Sequence, residues 1–226
     1  MLVRDWMSTA VITAYDDDSL PDAIKLMKTH NIRILPVLKT GKLIGVVTDR
    51  DLKRASASNA TSLEIHELLY LLSHVRMKEI MTRDPITVPY DFTIEETAQV
   101  LRKHKISGTP VLDGDGQLAG IITQTDVFDA LVSLTGIAQK GLSFAFVVND
   151  KPGSIKELAD IVRESGGRMV SILSSYERAP AGYRRVYVRL HGVRGDELDA
   201  MINRFRERAT VLYSVDHREN LRHIYQ

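Results

Sequence analysis

Gly45-Val46-Val47-Thr48-Asp49-Arg50-Asp51 returns further along the chain as Gly120-Ile121-Ile122-Thr123-Gln124-Thr125-Asp126. The recurrence extends upstream, where Pro36-Val37-Leu38 matches Pro110-Val111-Leu112 and Met7-Ser8 matches Met81-Thr82. The offset is 74 from Met7 to Met81, Thr13 to Thr87 and Pro36 to Pro110, and 75 from Asp51 to Asp126, so one residue entered between Pro110 and Gly120. Two related units are therefore folded in tandem. Such a pair carries a pseudo-twofold axis, and a cleft on that axis is a natural place for a small ligand.

Each unit reads as strand, helix, strand, strand, helix. In the first, Ala10 to Thr13 predicts a short strand, and Asp18-Ser19 can cap a helix that places Leu20, Ala23, Ile24 and Met27 at i, i+3, i+4 and i+7. Ile32 to Leu38 and Leu43 to Val47 predict a hairpin about Lys39-Thr40-Gly41-Lys42. The second unit repeats this with Ile94, Thr97, Ala98 and Leu101 on its helix face and the hairpin turn Asp113-Gly114-Asp115-Gly116, which carries the extra residue. Between the units, Thr61-Ser62-Leu63-Glu64 has the form of a capping box opening a helix with Ile65, Leu68, Leu69 and Leu72 in apolar register.

After Gly136 the pattern changes. Leu142 to Val148 reads as a strand, Asn149 to Gly153 as a loop, and Ile155, Leu158, Ala159 and Val162 as a helix face closed by Gly166-Gly167. Met169 to Leu173 and Arg185 to Leu190 read as strands, Leu198, Met201, Ile202 and Phe205 as a second helix face, and Val211 to Val215 as a last strand. The order βαββαβ is the ferredoxin-like arrangement.

Composition narrows the functional class. Thirty basic and 29 acidic residues leave a net charge of +1, which argues against nucleic acid as a partner. The absence of cysteine excludes disulfides and thiolate chemistry. Neither a secretory signal nor an apolar run of ~18 residues occurs, so no membrane association and a soluble, cytoplasmic protein are expected. The seven histidines lack metal spacing, and Asp16-Asp17-Asp18 reads as a solvated helix entrance, so no metal site is expected. Trp6 is expected to pack, and His30 and His104 to sit at helix C-termini. No catalytic Ser/His/Asp set or Gly-rich phosphate loop is visible.

The repeated pattern of an early Met-Thr/Ser, a Pro-Val strand and a late Gly-h-h-Thr-x-x-Asp, where h is apolar, resembles a tandem pair of CBS (cystathionine β-synthase type) domains, a Bateman-type module. The C-terminal third, with its Asn149-Asp150-Lys151-Pro152-Gly153 loop ahead of the first helix, looks like an ACT domain. The order CBS, CBS, ACT is similar to that of acetoin-utilisation AcuB-type proteins. The expected fold class is thus α+β, with repeats at 1–58 and 77–136, a connecting helix at 59–76, an ACT domain at 141–217 and a tail at 218–226. The segment Leu131 to Gly141 is expected to transmit changes between the two module types.

Thr48 ends a strand and Asp51 stands three residues on, and Thr123 and Asp126 repeat the arrangement. A carboxylate there can accept both ribose hydroxyls, while the Thr hydroxyl and helix-start amides can hold a phosphate. Alternatively, Thr-x-x-Asp simply caps its own helix. The resemblance implies the ligand role in an adenine nucleotide site (AMP, ADP or ATP-like), with the base between strand residues near Ile12, Ile34 and Pro36, or Ile86, Gly108 and Pro110. Arg33, Arg50, Lys53 and Arg54 are expected to gather about the Thr48 turn, where the second copy has Ser107, Gln124 and Thr125, so that this site takes the more highly charged nucleotide. A small amino acid or carboxylate effector is expected beside Asn149, Gly153 and Ser154, with Pro152 at the first helical position. The expected role is regulatory and non-catalytic, in a homodimer with no catalytic cofactor. The alternative is a subunit or scaffold of a small-metabolite enzyme.

Overall fold

The computed structural model describes residues 1–58 and 65–225. They fall into two compact units, Met1–Ala130 and Leu131–Gln226. The first unit holds β1 (Ala14–Tyr15), α1 (Leu20–Thr29), β2 (Ile34–Lys39), β3 (Lys42–Thr48), α2 (Asp49–Ser58), α3 (Ile65–His74), α4 (Met77–Ile80), β4 (Thr82–Arg83), β5 (Val88–Pro89), α5 (Ile94–His104), β6 (Gly108–Leu112) and β7 (Leu118–Thr123); α6 (Gln124–Thr135) runs on past its end. The connector's capping box at Thr61 to Glu64 lies outside the described residues.

Local chemistry starts the helices, at Ser19 as expected and at Thr93 in addition. The Asp22 amide donates to the Ser19 hydroxyl at 3.3 Å, and α5 opens on a capping box in which Thr93 N donates to Glu96 Oε2 at 2.8 Å and Glu96 N to Thr93 Oγ1 at 3.2 Å. The two hairpins differ by the inserted residue. Thr40 and Gly41, at φ 48° and 81°, make a two-residue loop of the I′ kind between paired Lys39 and Lys42. In the second, Asp113 N donates to Gln117 O at 2.9 Å across a three-residue loop that ends on Gly116 at φ 74°. Asp113 Oδ1 holds that loop by accepting from the amides of Asp115 and Gln117, at 3.0 and 2.8 Å.

The expected strand at Ala10 to Thr13 is not formed. Parallel pairing with β2 begins at Ala14, opposite Val37, and residues 10–12 line a cavity instead.

The sheets, β1-β2-β3-β4 and β5-β6-β7, are linked by an exchange of edges. Met81-Thr82, at the head of the second repeat in sequence, joins the first repeat's sheet: Thr82 pairs with Val46 and Arg83 with Gly45. Reciprocally, Ser8 bridges Ile121. The crossing requires glycine at both contacts, because a Cβ on Gly45 would stand 2.5 Å from Met81 Sδ and one on Gly120 2.5 Å from Met7 Sδ. The cores follow. Val3 packs with Val88, Ile94, Val111 and Ile122, with Trp6 against them, while Met77 packs with Ala14, Leu20, Leu35 and Val47.

The second unit contains β8 (Leu142–Asn149), α7 (Ser154–Glu164), β9 (Arg168–Ser175), β10 (Tyr183–His191), α8 (Gly195–Arg208), β11 (Thr210–Asp216) and β12 (Leu221–Ile224) in a sheet ordered β12-β11-β8-β10-β9. Its first six elements form the βαββαβ arrangement. Phe205 of α8 packs on Phe144 and Phe146, with ring centroids 5.2 and 4.8 Å away. Within the expected tail, Leu221–Ile224 form β12, which pairs Leu221 with Asp216 and Ile224 with Tyr213. Asp216 makes the reversal by accepting from the Arg218 amide at 2.8 Å.

Among the described residues, no helix is long and apolar enough to cross a membrane.

Candidate functional site

Each repeat ends its hairpin in a closed strand-to-helix turn. At the end of β3, Asp51 Oδ2 accepts from Thr48 N at 2.9 Å and Thr48 Oγ1 at 2.6 Å, and Asp51 N donates back to Thr48 Oγ1 at 3.4 Å. At the end of β7 the same three bonds join Thr123 and Asp126, at 2.7, 2.7 and 3.4 Å. These are reciprocal caps, with Asp in the place usually held by Glu. Both bonds that each carboxylate accepts run to Oδ2. Asp49 N donates to Arg33 O at 3.1 Å and Gln124 N to Ser107 O at 2.9 Å, so each helix start is also tied to the strand entrance beside it.

Two cavities lie at these turns, and each is built from both repeats. The first, about 390 Å³, joins Thr48 and Arg50 to Pro85, Ile86, Lys105, Gly108 and Pro110. The second, about 570 Å³, joins Thr123 and Thr125 to Val11, Ile12, Asn31, Arg33 and Ile34. Ile34, Ser107 and Gln124 line both, forming the wall between them. Both volumes fall in the range of small-molecule sites.

This arrangement redistributes the expected residues. The Thr48 turn faces Ile86, Gly108 and Pro110 of the other repeat, and the Thr123 turn faces Ile12 and Ile34. Pro36 is buried in β2 and lines neither cavity. Asp51 and Asp126 stand behind their threonines rather than in the lining. Arg33 and Arg50 are not brought together: Arg50 shares the Thr48 cavity with Lys105, whereas Arg33 belongs to the Thr123 cavity. Lys53 is engaged by Asp49 at 3.1 Å.

Lys105 was not among the residues singled out from sequence. Its counterpart under the 74-residue offset is Asn31, and both take left-handed backbone at the end of their helices, with φ 55° and 51°. Mapping one repeat's lining onto the other would have found it.

At the loop before α7, Gly153 adopts φ 89° and the helix begins at Ser154, so Pro152 lies in the turn rather than at the first helical position. Ser154 is buried and accepts from Arg184 Nη2 at 3.3 Å, while Arg184 Nε stands 3.4 Å from Asp150 Oδ1. Asn149 is exposed at the end of β8. The acidic run is dispersed: Asp16 pairs with Lys39 at 2.9 Å, Asp17 with Lys78 at 2.6 Å, and Asp18 accepts from Tyr15 N at 2.7 Å. Among the described residues, no group of three or more potential metal ligands gathers.

The duplicated strand-to-helix turns and the cavities built from both repeats define a tandem-repeat module. The family model for the CBS domain matches residues 3–58 and 77–133, half of the chain, and the chain belongs to that family. The L-aspartate semialdehyde sulfurtransferase of Methanocaldococcus jannaschii is 35% identical over 127 residues, 56% of this chain; the match spans only 22% of that relative's length. The solved CBS domain pair of protein MJ0100, in complex with 5′-methylthioadenosine and S-adenosyl-L-methionine, is 33% identical, with a TM-score of 0.51 over 59% of this chain and 97% of that one. A candidate acetoin utilization protein (AcuB) from Vibrio cholerae is 29% identical, with a TM-score of 0.52 over 62% of this chain and 96% of that one.

Proposed function

We propose that the CBS pair binds an adenosine-containing nucleotide in its two composite cavities and that the protein is a non-catalytic regulator. The observation that carries this reading is the placement of each Thr-x-x-Asp turn opposite the apolar strand entrance of the other repeat, in cavities of about 390 and 570 Å³. A base can lie against Ile86 and Pro110, or against Ile12 and Ile34. The ribose reaches the carboxylate behind the threonine, and the phosphates meet Arg50 and Lys105 in one cavity and Arg33 in the other. The adenosyl ligands of the MJ0100 domain pair support the ligand class. Because both cavities draw on both repeats, a ligand in either one senses how the repeats are apposed, and differential affinity for two such arrangements makes a switch.

The C-terminal unit is read as an ACT domain on its βαββαβ order and its Asp150-Lys151-Pro152-Gly153 loop, with a small effector at Asn149, Gly153 and Ser154. The likeness to the Vibrio AcuB candidate supports a setting in acetoin metabolism. Exposed Phe128, Leu131 and Val132, on one face of α6, support a homodimer.

The test is calorimetric titration of the whole chain and of Asp51→Ala and Asp126→Ala with AMP, ATP and S-adenosylmethionine, with the nucleotide analysed afterwards. Each substitution is expected to weaken binding in its own cavity by about tenfold or more, the loss of a charge-assisted contact, and the nucleotide is expected back unchanged. Unaltered affinity in both variants sinks the ribose role, and turnover of nucleotide sinks the non-catalytic one.

A further inference from the structure

The sheet of the C-terminal unit buries Phe144, Val188 and Leu190 in its core and turns the alternate residues of its strands to the opposite face. On that face, Arg189 of the central part of the sheet stands opposite Ser143 on one side and Ser171 on the other. Strand β12 and the end of α6 contribute to a cavity there of about 470 Å³. Arg189, His217, Arg222 and His223 line it, and no carboxylate does among the described residues. The serines are already engaged, Ser171 Oγ donating to Thr135 O at 3.0 Å and Ser143 Oγ sharing a bond with His217 Nε2 at 3.0 Å. Arg189 is not: its Nη1 is closed off from solvent and meets no acceptor. Burial lowers the Arg189 guanidinium from its ordinary value, and burial with Arg189 and Arg222 nearby lowers His217. Arg189 is half-buried, and a guanidinium whose enclosed Nη1 has no acceptor is matched by an anion.

Beside Thr135 and Ser214, the rest of the lining is apolar or aromatic, including Leu173, Tyr187, Tyr213 and Ile224. We propose that this cavity binds a small organic carboxylate with an apolar body, its carboxylate on the Arg189 guanidinium and its body against Leu173, Tyr213 and Ile224. The planar guanidinium fork matches a carboxylate in two parallel bonds. The site is separate from the Asn149–Ser154 loop and does not depend on nucleotide binding by the CBS pair.

The full chain is titrated by calorimetry with 4-methylpentanoate, 4-methylpentanamide and inorganic phosphate. The carboxylate is expected to bind, and the isosteric amide and bare phosphate to bind at least about tenfold more weakly, since each lacks one half of the recognition. Arg189→Met is expected to abolish binding while leaving the melting temperature of the ligand-free protein unchanged or higher, because the half-buried guanidinium it removes has an enclosed Nη1 with no acceptor. Arg189→Lys keeps the charge, loses the fork and is expected to bind about tenfold more weakly; with Arg222→Gln, at the exposed rim, it serves if Arg189→Met does not fold. No binding of 4-methylpentanoate at 10 mM (roughly the weakest useful affinity), equal binding of the amide or of phosphate, or full affinity in the Arg189 variants overturns the proposal.

Discussion

Ile34 fills the space that a side chain at Gly108 would need: a Cβ on Gly108 would stand 2.5 Å from Ile34 Cδ1. The two residues hold the same position in the two repeats, and both line the first cavity. Near the pseudo-twofold axis the repeats therefore cannot be identical; one side supplies the bulk that the other omits. Gly108→Ala is expected to destabilise the protein by about 1–3 kcal/mol through overpacking. The Ile34 end is a flexible side-chain tip, so Ile34→Val should recover part of that loss. Denaturant melts of the two single variants and the double variant measure the coupling, and strict additivity would show that the two side chains do not compete.

Edge exchange makes a second prediction. Val3 lies in the core of the second repeat, with its amide donating to Phe92 O at 2.8 Å. Val3→Ala is expected to cost about 1–3 kcal/mol. Its effect on native-state hydrogen exchange should appear first in β6 and β7, not in β2 and β3. Exchange accelerated equally in both repeats would contradict the assignment.

The cationic residues divide unequally between the cavities, with Arg50 and Lys105 in one and Arg33 in the other. Arg50→Gln is expected to weaken ATP more than adenosine, by about 1–3 kcal/mol at low salt, because a charge-assisted phosphate contact is lost while base and ribose contacts stay. Arg33→Gln should leave binding in the Thr48 cavity unchanged. Titrations of both variants with adenosine, AMP and ATP at two salt concentrations check this; equal weakening of adenosine and ATP would place Arg50 away from the phosphates.

Acid stability has an identifiable contributor. The hydrogen bond from Arg218 holds the Asp216 carboxyl down to about 2, from its ordinary 3.8, against the opposing effect of burial. A carboxylate lowered in the folded state stabilises it above the unfolded value, and that contribution fades as pH falls from about 4 through about 2. Arg218 is partly exposed, so the contribution at neutral pH is discounted to on the order of 1 kcal/mol. Asp216→Asn is expected to lose that much at pH 7 and to show a flatter decline between pH 4 and 2. A wild-type slope retained in the variant would assign the titration to another group.

The internal duplication was legible because Thr-x-x-Asp, Pro-Val and Met-Ser/Thr recur at a nearly constant offset. The start of α1 was legible for a local reason: Ser19 satisfies an amide three residues away. The short strand misassigned to residues 10–13 and the unforeseen β12 share a different cause. Strands of two to four residues are made by their partners, and whether Ala14 lies along Val37 or Ile224 along Tyr213 depends on chain far away in sequence.

The same division applies to the candidate site. Sequence alone determined the closed turns, since Thr48 with Asp51 and Thr123 with Asp126 are joined by bonds spanning three residues. Only the tertiary structure decided what each turn faces. Sheet edges cross between repeats, so Thr48 meets Ile86 and Pro110 while Thr123 meets Ile12 and Arg33, a pairing set by packing across the axis and by glycines at 45, 108 and 120 that leave room for it.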